Sequence, residues 1–246
     1  LGELLLTQAE AHRWRGENVE AERCGAEAMG LLPRGGASWC GAAGVTAVTA
    51  GRLGKMERLV SVARDLEALA AEGVVTGPSV IESARAAIHA AYHGRHDLAE
   101  ALFAPIAAAA EVIASRDPAV RGHLMHAQAT MALIAGDPGG CLDGLSAAAQ
   151  SFDAVGDTRN ACGARGNVGY AFGKVGAYAE AERCCRDALL AADRLGLGYV
   201  AAAARHNLGP ALAQLGRLDE ARAVEEEAAQ AFHAQEIGRA SCRERV

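Results

Sequence analysis

Small and apolar positions recur along this chain with helical periodicity, and the rhythm is interrupted at regular intervals by a glycine followed by polar residues. The stretches NVGYAFGKVGAYAEAERCCRDAL, from Asn167, and NLGPALAQLGRLDEARAVEEEAA, from Asn207, align without a gap at a separation of 40 residues. With the glycine before the second stretch of each unit as a marker, the series is Gly16, Gly54, Gly94, Gly136, Gly176 and Gly216, at spacings of 38, 40, 42, 40 and 40. Self-similarity at a fixed period of this size is the signature of a repeat architecture.

Three further columns hold the same register. Seven residues before each marker stand Ala9, Ala47, Ala87, Ala129, Gly169 and Gly209, all small. Five residues after it stand Ala21, Leu59, Ala99, Cys141, Ala181 and Ala221, and twelve after it Ala28, Leu66, Ile106, Ala148, Ala188 and Ala228. A small residue in the middle of a first helix lets a second helix cross closely, and apolar residues seven apart on the second helix present one stripe to the first. The marker glycine suits a helix end in the left-handed conformation. Each unit therefore reads as a helical hairpin, and the chain as all-α with about a dozen helices.

The pattern Asn-x-Gly, then Gly seven residues on, then Ala five and twelve residues beyond that, resembles the tetratricopeptide repeats in a longer form of roughly 40 residues. Units five and six carry it well, one and three adequately, two and four loosely. The resemblance covers Leu1 to Gln235. It implies a right-handed α-solenoid of about six hairpins, over residues 1–35, 36–76, 77–116, 117–156, 157–196 and 197–235. The phrases RWRGENVEAERCGAEAM and GDTRNACGARGNVGY also resemble C-terminal arrays of large bacterial signalling proteins that carry a Ser/Thr kinase and an ATPase domain upstream. Because the chain begins at Leu1 and not at Met, it is expected to be a fragment of such a protein.

Composition fits this reading and removes others. Half the residues are hydrophobic (51%) but only 4% are aromatic, so packing relies on close approach of small side chains. Alanine, the best helix former, dominates. The longest apolar stretches, such as LFAPIAAAAEVIA, are interrupted before the roughly 18 residues a membrane span needs, and no signal peptide opens the chain. A soluble, cytoplasmic protein is expected. With 24 basic against 30 acidic residues and no Lys/Arg run, a nucleic-acid partner is not expected. Seven cysteines without a C-x-x-C argue against a disulfide framework or a zinc site and for small apolar residues in a reduced compartment.

Catalytic and cofactor motifs dissolve on inspection. RLGLGYVA contains Gly-x-Gly-x-x-Ala but follows a helix, not a strand, and so reads as an inter-repeat turn. GYAFGKVG lacks the first glycine and the Ser or Thr after Lys174 that a phosphate loop needs. His89, His93 and His96, and the pair His123 and His126, have no acidic or Cys ligand at a fixed spacing to complete a metal set. No catalytic residue, cofactor or metal is assigned.

What remains is binding through shape: a protein or peptide ligand held on the first helices of a groove, with structural self-association as the alternative. The repeat register nominates His123, His126, Thr130, Asn167, Tyr170, His206 and Asn207, although Asn167 and Asn207 could equally bond neighbouring helices. Family members that clamp a peptide's terminal carboxylate use Lys or Arg along this face; no such set is evident from the columns, which disfavours a chaperone-tail ligand. Pro210 interrupts a first helix, frees the carbonyl of His206 and is expected to bend it.

The end of the chain breaks the rhythm. QAFHAQ, from Gln230, repeats the register of SFDAVGDTR, from Ser151, with Phe232 matching Phe152 and Gln235 matching Val155. Gly and Asp should follow; instead the chain reads EIGRASCRERV. From Ile237 onward this is what a widely used short-read sequencing adaptor would encode in frame. Residues 236–246 are therefore expected to be a non-native tail, and Cys242 and its Arg neighbours receive no function.

Overall fold

The computed structural model describes residues 1–235. The reading of residues 236–246 as an adaptor-derived tail lies outside the described residues. Among these, the chain is all-α, with thirteen helices and no strand. They pair in chain order: α1 (Gly2–Arg15) with α2 (Asn18–Leu31), α3 (Ala37–Arg52) with α4 (Met56–Ala71), and α5 (Gly77–Tyr92) with α6 (His96–Phe103) and α7 (Ala107–Ala114). The later pairs are α8 (Pro118–Ile134) with α9 (Pro138–Ala154), α10 (Thr158–Lys174) with α11 (Tyr178–Leu195), and α12 (Gly198–Gln214) with α13 (Leu218–Ala234).

Thirteen helices, where pairing alone gives twelve, trace to Pro105. It has no N–H to continue the ladder, and its ring collides with the preceding turn. Helix α6 stops at Phe103, and α7 begins afresh at Ala107. The column residue Ile106 sits in the break and is still buried, at 1% exposure, so the stripe survives the interruption. In contrast, Pro210 lies inside α12, which runs unbroken from Gly198 to Gln214 with the proline exposed.

The marker glycines do what their position demands. All six have positive φ, from 69° at Gly94 to 86° at Gly16. At Gly54 the following amide, Lys55 N–H, donates to the Ala50 carbonyl at 2.8 Å, and the Gly54 N–H donates to Gly51 at 3.1 Å. This is the paired closure that satisfies the last carbonyls of a helix and turns the chain back. Starts are fixed by side chains: Thr76 and Ser79 form a reciprocal box at α5, and Asp137 and Asp157 accept from Gly140 and Asn160 at α9 and α10.

Every residue of the three columns is buried. Gly169 shows why the first-helix column is small: a Cβ there would overlap the Cys185 sulfur and lie 3.1 Å from the Cys185 backbone nitrogen and 3.2 Å from the Ala181 carbonyl of α11. The helices divide into two compact units, Leu1–Ala127 and Gln128–Gln235. In the first, α3 is buried from Ala42 through Arg52 and packs against α1, α2, α4 and α5. A core of Val80, Ile106, Ala110, Val120 and Leu124 lies farther along that unit. In the second, Ala129, Cys141, Leu145, Val168 and Ala171 form one core and Cys185, Leu208, Leu212 and Ala221 another.

Candidate ligand-binding face

The first helices of the Leu1–Ala127 unit bring together charged side chains that the repeat columns keep apart. Glu10 and Arg13 come from α1, Arg52 from the last turn of α3, Glu82 and Arg85 from the middle of α5, and His123 and His126 from α8. Arg13, Arg52 and Glu82 are all under 10% exposed. Charged groups are seldom so buried unless paired.

Hydrogen bonds within the cluster supply part of the pairing. Arg13 donates through Nε and Nη2 to Glu10 Oε2 at 2.9 and 2.6 Å. Arg85 Nη1 donates to both Glu82 oxygens, at 3.0 and 2.8 Å. Arg52 reaches Asn18 Oδ1 at 3.4 Å. The α3 surface beneath is prepared for this load. Gly44 faces Glu82 so closely that a Cβ would overlap its carboxylate, so the missing side chain is what seats that group against the helix. Thr46 and Thr49, buried on the same helix, donate to the carbonyls of Ala42 and Val45 and place no demand on the cluster.

Electrostatics couples the members. Desolvation pushes the Glu82 carboxyl up to about 7, with Glu10 adding to the rise and Arg85 and Arg13 opposing it. Desolvation also works on Glu10, but Arg13, Arg85 and Arg52 outweigh it and hold that carboxyl below its usual value. Arg13 is brought down to about 9 by desolvation and by the like charges of Arg85 and Arg52, against the pull of Glu10. His123 is pushed well below its usual value by desolvation, Arg85, His126 and Arg13. It keeps some contact with solvent while lying deep among these groups.

Of the residues nominated from the register, His123 and His126 therefore join the cluster. The other five lie in the Gln128–Gln235 unit and do not converge on one point. Thr130 is buried, at 4% exposure. Asn207 donates to the Gly166 carbonyl of α10 at 3.1 Å and ties two first helices together. His206 meets Glu225 of its own hairpin partner α13 at 2.9 Å and packs edge-on against Phe232. Tyr170 carries the Lys174 ammonium 4.9 Å from its ring centre, and Asn167 is half-buried on α10.

The arginines are what the columns missed. Arg13, Arg52 and Arg85 stand three, two and nine residues before their markers, so no alignment places them together. They come together across helices, with Arg13 and Arg85 bound to the protein's own Glu10 and Glu82. A sequence signal was available in Glu10-x-x-Arg13 and Glu82-x-x-Arg85, two acid–base pairs at helical spacing on otherwise small-residue first helices.

Elsewhere, His93 Nε2 meets the Gly51 carbonyl at 2.8 Å, and His89 packs edge-on against Tyr92. No group of three or more His, Cys, Asp or Glu among the described residues is placed to hold a metal ion. The glycines of RLGLGYVA fall at the α11–α12 turn, where Gly196 has φ 65°. Burial pushes the thiols of Cys40 and Cys141 up to about 11 and that of Cys185 to about 12, so at neutral pH they remain protonated. None of the helices is long and apolar enough to cross a membrane, among the described residues.

No family model matches the chain, and no curated protein matches it. Among solved structures, the chain is similar to that of the crystal structure of a Rap protein complexed with Competence and Sporulation Factor: TM-score 0.62, 16% identity, covering 95% of this chain and 66% of that one. The present chain thus spans about two thirds of that protein's length, and what the likeness shows is the fold, an all-α array of helical repeats.

Proposed function

We propose that this chain is a non-enzymatic interaction module that takes a protein or peptide ligand on the first-helix face of the Leu1–Ala127 unit. The observation that carries the reading is the charged cluster of α1, α3, α5 and α8. A stack built from alanine and glycine gains nothing in stability from burying three guanidiniums there, because the desolvation of buried ions is repaid only by excellent pairing. Groups kept against that cost point to a ligand. The Rap protein of similar fold, complexed with Competence and Sporulation Factor, is a precedent for ligand binding on such an array.

The wider assignment rests on the sequence resemblance: a regulatory array within a larger, cytoplasmic bacterial signalling protein. Among the described residues six cysteines are free, five of them buried, which accords with a reduced compartment. The test is selection of random dodecamers displayed on phage against the purified chain. Enriched peptides should bind saturably, and binding should fall when Arg85 is replaced by Gln. No enrichment, together with a scattering mass that doubles as concentration rises, would favour self-association instead.

A further inference from the structure

We infer that the open cleft where α4 begins beside α2 is a second binding site, one that takes the carboxylate of an Asp or Glu side chain carried by a partner peptide. The cleft stands apart from the first-helix face, so either site can fail without the other.

The cleft has a volume of about 730 Å³, and Glu22 of α2 lines it together with Lys55, Glu57, Arg58 and Ser61 from the start of α4. Its most deeply buried lining residue is a carboxylate: the Glu22 side chain is 9% exposed, whereas Lys55 and Arg58, which both bind it, are about half exposed. Lys55 Nζ donates to Glu22 Oε2 at 2.9 Å, and Arg58 Nε lies 3.2 Å from Oε1. Neither cation meets another acid among the described residues. The ammonium has three donors and the guanidinium five, so most of them, including both Nη groups of Arg58, are left for a ligand. Held against a buried acid, the two cations are positioned before any ligand arrives, which lowers the ordering cost of binding.

The repeat shows which group is missing. Glu22 stands six residues after its marker glycine, as Glu182 does, and Lys55 stands one residue after its marker, as Arg217 does. In the later pair of hairpins the contacts close into a ring, because Arg186 and Arg217 each bind both Glu182 and Glu220. In the earlier pair the two places that complete such a ring are changed. The position of Glu220, four after the marker, holds Arg58, and that of Arg186, ten after it, holds Ala26, too short to reach across. Two cations therefore share one acid, and the second carboxylate of the closed ring has no counterpart. A carboxylate supplied from outside fills that role, and the free Nη fork of Arg58 suits its shape. Glu57, on the rim, forms no ion pair among the described residues and opposes any anion, a doubly charged phosphate more than a carboxylate. An open, polar cleft fits a side chain entering from a partner segment, whereas pockets that enclose small molecules are mostly apolar.

The experiment is an NMR titration of the full chain, at constant ionic strength, with the blocked peptide acetyl-Ala-Ala-Glu-Ala-Ala-amide and with its Gln counterpart. The Glu peptide should shift the Arg58 Nε–Hε signal and the amides of Lys55 and Glu57 saturably. It should bind at least about tenfold more tightly than the Gln peptide, the factor a charge-assisted hydrogen bond supplies. Arg58→Gln should abolish the shifts, Arg58→Lys should restore part of them, and Glu57→Gln should tighten binding about twofold by removing a like charge. Arg23→Gln should change nothing, because that guanidinium is already divided between Glu20 and Glu27. Circular dichroism of each variant separates lost binding from lost folding; if Arg58→Gln fails to fold, the peptide pair measured on the parent chain decides alone. Glu and Gln peptides that bind within about twofold of each other overturn the site, as do shifts that survive Arg58→Gln. Saturable shifts confined to α1, α3 and α5 belong to the first-helix face and also overturn it, while no saturable shift at all removes the cleft and leaves that face untouched. Inorganic phosphate that binds more tightly than the Glu peptide overturns the choice of carboxylate, and free glutarate that does so overturns the peptide as its source.

Discussion

Gly44 and Gly169 occupy comparable places, each in the interior of a first helix, and each is small for a different reason. A Cβ on Gly169 would press on the backbone of α11, at Cys185 and Ala181. A Cβ on Gly44 would meet no backbone among its nearest contacts, only the Glu82 side chain. In the Gln128–Gln235 unit the missing side chain lets two helices close; in the Leu1–Ala127 unit it seats a carboxylate. The same device, a glycine on the first helix, serves packing in one unit and electrostatics in the other. Around Gly169 the neighbouring α10 positions Ala161, Ala164, Gly166 and Ala171 are small and buried, whereas the face near Gly44 carries Glu82, Arg85 and Arg13.

The sharpest way to break this comparison is the pH dependence of Glu82. Its carboxyl has a folded pKa of about 7 against an ordinary 4.5. A raised carboxyl pKa means the folded protein holds that proton more tightly than the unfolded chain, so the contribution is fully present below pH 4.5 and is lost as pH rises through about 7. The loss amounts to about 3 kcal/mol if the full shift is realised. Glu10, shifted downward, acts with the opposite sign and only below its ordinary value. Denaturant unfolding of Glu82→Gln and the parent should therefore show the variant gaining on the parent between pH 5 and pH 8. Parallel pH profiles would mean that the carboxylate is as comfortable as a solvated one and that Gly44 serves only packing.

Next in size is Gly169→Leu. The added side chain must part α10 from α11 or distort them, and overpacking of this kind costs about 1–3 kcal/mol. Thermal unfolding should show a lower midpoint, with no change in the pH profile, because no titrating cluster lies at that contact. An unchanged midpoint would mean that the close crossing tolerates a side chain and that the repeat column has another origin.

These two predictions mark what the sequence made legible and what it did not. The hairpins were readable because each depends on a single local fact repeated six times. A left-handed residue must end a helix, so glycine recurs; a crossing admits no bulk, so Ala or Gly recurs seven residues earlier. Pro105 was legible in principle, since its effect on α6 and α7 is also local, yet the buried column residue Ile106 keeps the periodic pattern intact across the break. The cluster was not legible because its members share no column. Glu82 needs Gly44, thirty-eight residues away and on a different helix, and nothing in either residue's own surroundings signals the other. Repeat columns report what every unit needs; a binding site is what one unit does differently. The nominated Asn207 illustrates the converse, since its side chain is spent on a bond between first helices, to the Gly166 carbonyl.

A smaller effect separates two glycines the columns treat as equal. At Gly209 the nearest obstacle is the flexible Glu225 side chain, with Cγ at 2.6 Å from a built Cβ and no backbone among the nearest atoms. Gly209→Ala should therefore cost less than Gly169→Ala, within about 1 kcal/mol of the parent, because a rotamer change relieves it. Moving Glu225 also breaks its contact with His206, so the NMR chemical shifts of that imidazole should change even where stability hardly does. Equal costs at the two glycines would show that the backbone approach at Gly169 is not what distinguishes them.

The least effect is expected on the outer surface of the Gln128–Gln235 unit, where Arg186 and Arg217 bridge Glu182 and Glu220 between α11 and α13. This ring has one charged member fewer than the buried cluster and balances two guanidiniums with two carboxylates, yet it lies at the surface. Hydrogen bonds from Arg186 and Arg217 hold both carboxyls below their usual values, a shift that water and ions screen. Arg217→Gln should lower the unfolding midpoint slightly at low ionic strength, and the difference should vanish in about 1 M NaCl, where the screening length falls to about 3 Å. The Glu82 effect, beneath the first-helix face and out of reach of most ions, should persist in the same salt. If both differences fade together, burial is not what sets the two charge networks apart, and the contrast between the units reduces to the number of arginines in each.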